Sequence, residues 1–295
     1  MPASGWLRLE SPPDAPYYMQ TPVHAPFGDA FELLGYTFNQ ATVSPGERLE
    51  VQLFWRAQRP IDRNYRPVVQ LVSPNLAEAW AVSEPLSLSP LLGATTVGMT
   101  PERFLSDEHQ LAVRDDAPPY VGRIKVMLLD VEKGEALRLP DGSDTLLLEP
   151  LVRVTGANEG AQAGEAYRFG EVIALQCAAL AQDDGGISLE LYWHVLQAPG
   201  EMLHVFVHAL DASGGLIAQV DSPPLDGLYP TTAWLPGQTL RDGYRFAADA
   251  RIETLAVGLY RPQEQTRLPA TQNGSRLPND QIVFPIQPSE CRESD

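Results

Sequence analysis

Histidine is a common metal ligand, and three of the chain's five histidines, His194, His204 and His208, lie close together in its second half. His204 and His208 share a strand face but stand about 13 Å apart at ~3.3 Å per residue, too far for one zinc ion at ~2.1 Å from each. At most one of them pairs with His194 from a neighbouring strand, so the default reading is solvated or hydrogen-bonded histidines. A hard cation has one candidate loop, Asp141-Gly142-Ser143-Asp144, with Asp141 and Asp144 as calcium ligands. The loop lacks the spacing of a defined calcium loop, and Asp-Gly is first of all a turn. Apart from calcium, no cofactor is expected. Tyr229 and Trp234, in a proline-punctuated loop, are of the type that stacks a sugar ring, because an amphipathic ring on a loop suits a half-apolar ligand. The competing reading for them is packing of the loop onto the core.

There is no Gly-x-Ser-x-Gly elbow, no phosphate-cradling glycine loop and no His-Glu-x-x-His. A carboxylate pair assembled from distant strands leaves no such trace, yet the expectation is a chain that is not an enzyme. Cys177 lies in an apolar run and reads as a small buried hydrophobe, while Cys291 sits in a polar tail. Two cysteines make no disulfide framework and leave the redox compartment undecided. Asn273-Gly274-Ser275 fits the glycosylation acceptor pattern, a triplet common by chance.

The 295 residues carry 21 basic and 38 acidic side chains, a net charge of -17. Such a balance argues against nucleic acid and anionic lipid, which need a positive patch; its plainest consequence is solubility. No run approaches a membrane span, and the start lacks the basic-then-apolar pattern of a secretory signal, so direct membrane insertion is not expected.

The elements that would position these residues come in two sets. The run Val51-Gln52-Leu53-Phe54-Trp55-Arg56 has a later counterpart, Leu189-Glu190-Leu191-Tyr192-Trp193-His194, and Trp55 and Trp193 are 138 residues apart. The same offset carries Gln70 onto His208. At 135, Met99, Leu105 and Asp107 fall on Trp234, Leu240 and Asp242; at 131, Val126-Met127-Leu128-Leu129 falls on Val257-Gly258-Leu259-Tyr260. A drifting offset with apolar segments in constant order reads as one domain repeated. Trp55 and Trp193 then belong to the core, and Asp107 and Asp242 serve turns or backbone groups.

Residues 1–26, rich in proline, read as an extended lead-in, and Phe27–Phe38 as the first strand. Leu49, Val51, Leu53 and Trp55 alternate with Glu50, Gln52 and Phe54, a period of two that puts Trp55 inward. Residues 84–101 form a long loop, and Leu146–Val154 closes the first repeat. The Gly/Ala-rich stretch Thr155–Gly164 reads as a linker, giving domains 1–156 and 157–295. In the second, Gly170–Ala178, Ile187–Val195, Leu203–Leu210 and Leu216–Val220 read as strands. Short strands at regular spacing with turn chemistry between them predict two tandem antiparallel β-sandwich domains, immunoglobulin-like or jelly-roll-like.

The series Leu191-Tyr192-Trp193, Val205-Phe206-Val207-His208-Ala209-Leu210-Asp211, Gln219-Val220-Asp221-Ser222-Pro223-Pro224-Leu225, Tyr229-Pro230-Thr231-Thr232 and Gly258-Leu259-Tyr260 resembles a β-sandwich module. That module occurs in tandem at the C-terminal ends of large bacterial membrane glycosyltransferases and in other surface proteins of the same bacteria. The resemblance covers nearly all of residues 27–288 and is looser in the first repeat. It implies a non-catalytic, extracytoplasmic accessory region at the cell surface whose partner is a protein or a glycan. It supplies no catalytic residues, and the transmembrane helices and acidic motifs of the transferase itself are absent here. The alternative expectation is a carbohydrate-binding module using Tyr229 and Trp234.

Overall fold

Alternating apolar and polar residues become paired strands throughout the described residues, which are 19–83, 95–102, 104–149, 151–156 and 167–291 of a computed structural model. Among them no helix is long and apolar enough to cross a membrane. The chain divides into two units, Met1–Ala157 and Asn158–Asp295.

The first unit holds β1 (Thr21–Phe27), β2 (Phe31–Phe38), β3 (Thr42–Val43), β4 (Arg48–Ala57), β5 (Tyr65–Val72), β6 (Ala79–Val82), β7 (Phe104–Ala112), β8 (Tyr120–Asp130), β9 (Glu135–Ala136), β10 (Leu146–Leu147) and β11 (Val152–Val154). One sheet runs β1-β2-β4-β7 and the other β3-β11-β8-β5-β6, with β9 and β10 also on β8. Phe31 of the first sheet meets Tyr65 of the second edge to face, centroids 5.6 Å apart, so the two inner faces share a core.

The second unit holds β12 (Tyr167–Phe169), β13 (Ile173–Asp183), β14 (Gly186–Val195), β15 (His204–Leu210), β16 (Leu216–Ser222), β17 (Thr239–Phe246), β18 (Thr254–Arg261), β19 (Thr266–Arg267), β20 (Ala270–Gln272), β21 (Ser275–Arg276) and β22 (Ile282–Pro285). Its sheets run β17-β14-β13-β12-β20-β21 and β16-β15-β18-β19, with β22 on β18. Pairing is antiparallel except where β11 runs parallel to β3. The fold is therefore all-β, built from antiparallel sheets packed as sandwiches.

Two registers coincide. Trp55 stands opposite Leu105 and Leu53 opposite Asp107, as Trp193 stands opposite Leu240 and Leu191 opposite Asp242. Each tryptophan is buried and takes a phenylalanine edge, Phe27 of β1 at 5.3 Å and Phe169 of β12 at 5.7 Å.

Three strand expectations need correction. Phe27–Phe38 is not one strand but a hairpin, β1 and β2, turning at Gly28 with φ 58°. Proline is tolerated in β1 because it is an edge strand, where a missing N–H costs no ladder bond. Gly170, at φ 55°, likewise separates β12 from β13, and Leu146–Val154 is divided into β10 and β11. The expected linker falls almost wholly outside the described residues, as do residues 84–94 of the long loop. In the remainder of that loop, Thr96 Oγ1 donates to Arg63 O (3.0 Å) and accepts from Tyr65 N (2.9 Å), tying it to the start of β5.

Candidate functional site

Tyr229 and Trp234 do not face solvent. Their exposures are 0% and 1%, so neither offers a face to a sugar, and the stacking assignment is corrected to core packing. The Trp234 indole N–H donates to Tyr229 O (3.0 Å), and the Tyr229 hydroxyl donates to Gln238 Oε1 (3.2 Å). Thr231, buried between them in sequence, donates to Glu201 O (2.7 Å) and accepts from Leu203 N (2.9 Å). The loop is thus sealed onto the end of the sandwich, its polar groups satisfied internally. Met99, opposite Trp234 at offset 135, is buried too.

The loop singled out for calcium is an internally bonded turn. Asp141 Oδ1 accepts from both the backbone N–H (2.9 Å) and hydroxyl (2.8 Å) of Ser143, and Asp144 Oδ1 accepts from the Thr145 hydroxyl (3.0 Å). These are turn bonds, and they hold the Asp141 carboxyl below the usual carboxylate range. No cluster of three His, Cys, Asp or Glu able to hold a metal occurs among the described residues. His194 lies on β14, in a different sheet from His204 and His208 on β15, and its Nδ1 bonds Thr239 Oγ1 at 3.2 Å. Neither His204 nor His208 therefore sits on a strand paired with that of His194. Asn273 and Gly274, φ 50° and 78°, are the two central residues of a hairpin between β20 and β21, the turn chemistry Asn-Gly favours.

Asp107 and Asp242 are buried in the middle of the edge strands β7 and β17 rather than at turns. Asp242 accepts from the Tyr244 hydroxyl (2.6 Å), the Trp193 indole (3.3 Å) and Leu225 N (3.0 Å). Burial still pushes its carboxyl up, against those three bonds. Leu225 and Asp226 sit at φ 55° and 53°, so Asp242 anchors a left-handed bend. In the first unit Asp107 accepts from His109 Nε2 (2.6 Å), whose Nδ1 bonds Ser83 Oγ at 3.1 Å. Serine, imidazole and carboxylate in line are what acyl transfer uses, but all three are buried. The equivalent strand position in the second unit carries Tyr244, bonded to its aspartate at the same two-residue spacing. Both arrangements satisfy a buried carboxylate.

Cys177 is not a lone buried hydrophobe. It is disulfide-bonded to Cys291 across 114 residues, with Cα atoms 5.8 Å apart. The tail comes back beside β13, where Leu180 and Ser289 exchange backbone hydrogen bonds of 3.0 and 2.9 Å. Local sequence carries no signal for so distant a pair.

A surface site mixing aromatic and polar groups lies on the outward face of β15, β16 and β18. Phe206 stands opposite Asp221 and Gly258, His208 opposite Gln219, and His204 opposite Tyr260. Phe206 points outward yet is only 2% exposed. Its ring lies across Gly258, where an added Cβ would fall 2.4 Å from Phe206 Cζ, and the Arg267 guanidinium covers it at 4.2 Å. Arg267 is fixed in turn by Asn279 O (2.8 Å) and Gln281 Oε1 (2.9 Å). Above this floor is a hollow of about 480 Å3, walled by His208, Gln219, Asp221, Tyr260 and Gln265. His208 Nε2 is 3.6 Å from Asp221 Oδ2, and burial, with Asp221 adding to it, raises the Tyr260 phenol. Sequence reasoning singled out only the histidines of this group. The available signal was contrast: the offsets put Val68 opposite Phe206 and Leu129 opposite Tyr260.

No protein-family model matches the chain, and no curated protein matches it. A search of solved structures returned a DUF4785 family protein from Legionella pneumophila, 8% identical with a TM-score of 0.23. The match covers 84% of this chain and 56% of that one, so the chain spans little more than half of that protein's length.

Proposed function

We propose that this chain is a non-catalytic interaction module working outside the cytoplasm, as an accessory to glycan assembly at a cell surface, and that its two units descend from one duplicated domain. The observation that carries the reading is the Cys177–Cys291 disulfide. A structural disulfide persists in an oxidising compartment and is rare where thiols are kept reduced. The coincident registers of Trp55 and Trp193 support the duplication. In favour of a scaffold, the groups that resemble catalytic machinery, Asp107, His109 and Asp242, are buried and bonded to their neighbours. The acidic surface suits a soluble module and disfavours nucleic acid and anionic lipid.

Protease treatment of intact source cells tests the location. Digestion of the chain before lysis is the expected result; protection until the cytoplasmic membrane is opened contradicts the reading.

A further inference from the structure

We propose that the hollow over Phe206 is a carbohydrate-binding site that takes one neutral pyranose unit of a glycan. This deepens the interaction-module reading by naming a ligand class, and it rests on that reading only for where the glycan is met.

The hollow's size falls in the range of small-ligand sites, about 300–1,000 Å3. Its rim is open, since Gln219, Asp221 and Gln265 are exposed, as a site for one unit of a continuing chain requires. Its chemistry alternates. The Asp221 carboxylate accepts only, the Tyr260 hydroxyl and the Gln219 amide do both, and Arg267 donates only. Gln265 gives its amide N–H to Pro262 O (2.7 Å), which turns its acceptor oxygen free of that bond. Sugar hydroxyls each donate once and accept twice, so a mixed rim of this kind matches a ring of them, whereas a purely basic rim would match phosphate. The rings of His208 and Tyr260, each against Phe206 at 4.9 and 6.4 Å, supply apolar edges for the C–H face of the sugar.

The floor is also pre-organised. Arg267 is held by two acceptors and stacked on Phe206, and Phe206 is seated on Gly258, so little rotamer freedom remains to be lost on binding. Asp221 on the rim and the chain's net charge of -17 weigh against an anionic sugar. The first unit lacks this chemistry: Val68, Gln70 and Leu129 stand where Phe206, His208 and Tyr260 stand, by the offsets of 138 and 131.

The test is titration of the purified, disulfide-intact full chain with short neutral gluco-, manno- and galacto-oligosaccharides, followed by nuclear magnetic resonance. The expected result is saturable shifts of the His204 and His208 ring signals and the Gln219 amide with at least one series. Asp221→Ala and Gln219→Ala, both exposed substitutions, should each weaken binding at least tenfold, and Asp184→Asn in the distant β13–β14 turn should leave it unchanged. Absence of saturable shifts with every series overturns the proposal, as does binding that neither rim variant weakens. Because the purified chain is used, failure here leaves the cellular location to be judged separately by protease treatment.

Discussion

Cys291 is bonded to Cys177, so the end of the second unit is fastened to the middle of β13 across 114 residues. A cross-link closing so long a loop removes much of the unfolded chain's freedom, about 4–5 kcal/mol in the chain-entropy account. Cys177→Ser or Cys291→Ser should lower the second unit's stability by about 2–5 kcal/mol and leave the first unit's transition in place. Denaturant titration with and without reductant checks this; equal midpoints in both conditions would contradict it.

The two core tryptophans should respond unequally to the same substitution. The Trp193 indole N–H donates to Asp242, while that of Trp55 has no hydrogen-bond partner among the described residues. Trp193→Phe strands part of a buried carboxylate; Trp55→Phe removes an unpaired donor. We expect the former to cost its unit about 1–3 kcal/mol more than the latter costs its own, measured by chemical denaturation. Equal losses would mean that the indole bond contributes nothing.

Asp242 predicts a pH dependence. Burial raises its folded-state value above the ordinary 3.8, so between these values the folded state keeps a proton that the unfolded state releases. The group's contribution is present below the ordinary value and is lost as pH rises through the folded one. Asp242→Asn carries a pH-independent cost from a misplaced acceptor, about 1–3 kcal/mol, but no titration. Stability of the wild type relative to this variant should therefore fall as pH rises from about 4 towards neutrality; parallel curves would refute the assignment.

Tyr229→Ala and Trp234→Ala should behave as core deletions. Each removes a fully buried ring, and losses of about 3–5 kcal/mol are expected from aromatic truncation. Thermal unfolding decides it: unchanged stability in either variant would return these residues to the surface.

Strands were legible wherever one face is buried, because alternation then writes the inward positions into the sequence, as with Leu49, Val51, Leu53 and Trp55. Loop residues carry no such period. For Tyr229 and Trp234 residue type suggests sugar stacking, while Met99 opposite Trp234 points to core packing. The β1–β2 hairpin was masked by prolines that an edge strand tolerates. The Cys177–Cys291 bond and the Phe206 hollow depend on neighbours brought together from distant strands, which the local pattern does not record. The contrast of Phe206 and Tyr260 with Val68 and Leu129 was in the sequence, but only strand pairing shows that they share a face.

The central claim is that the chain lives in an oxidising compartment, and the state of two sulfur atoms tests it most directly. Source cells are lysed in an excess of thiol-blocking reagent, and the chain is then reduced and labelled with a second, heavier reagent. The account predicts that both Cys177 and Cys291 carry only the second label, having been paired in the cell. Both cysteines carrying the first label would contradict it.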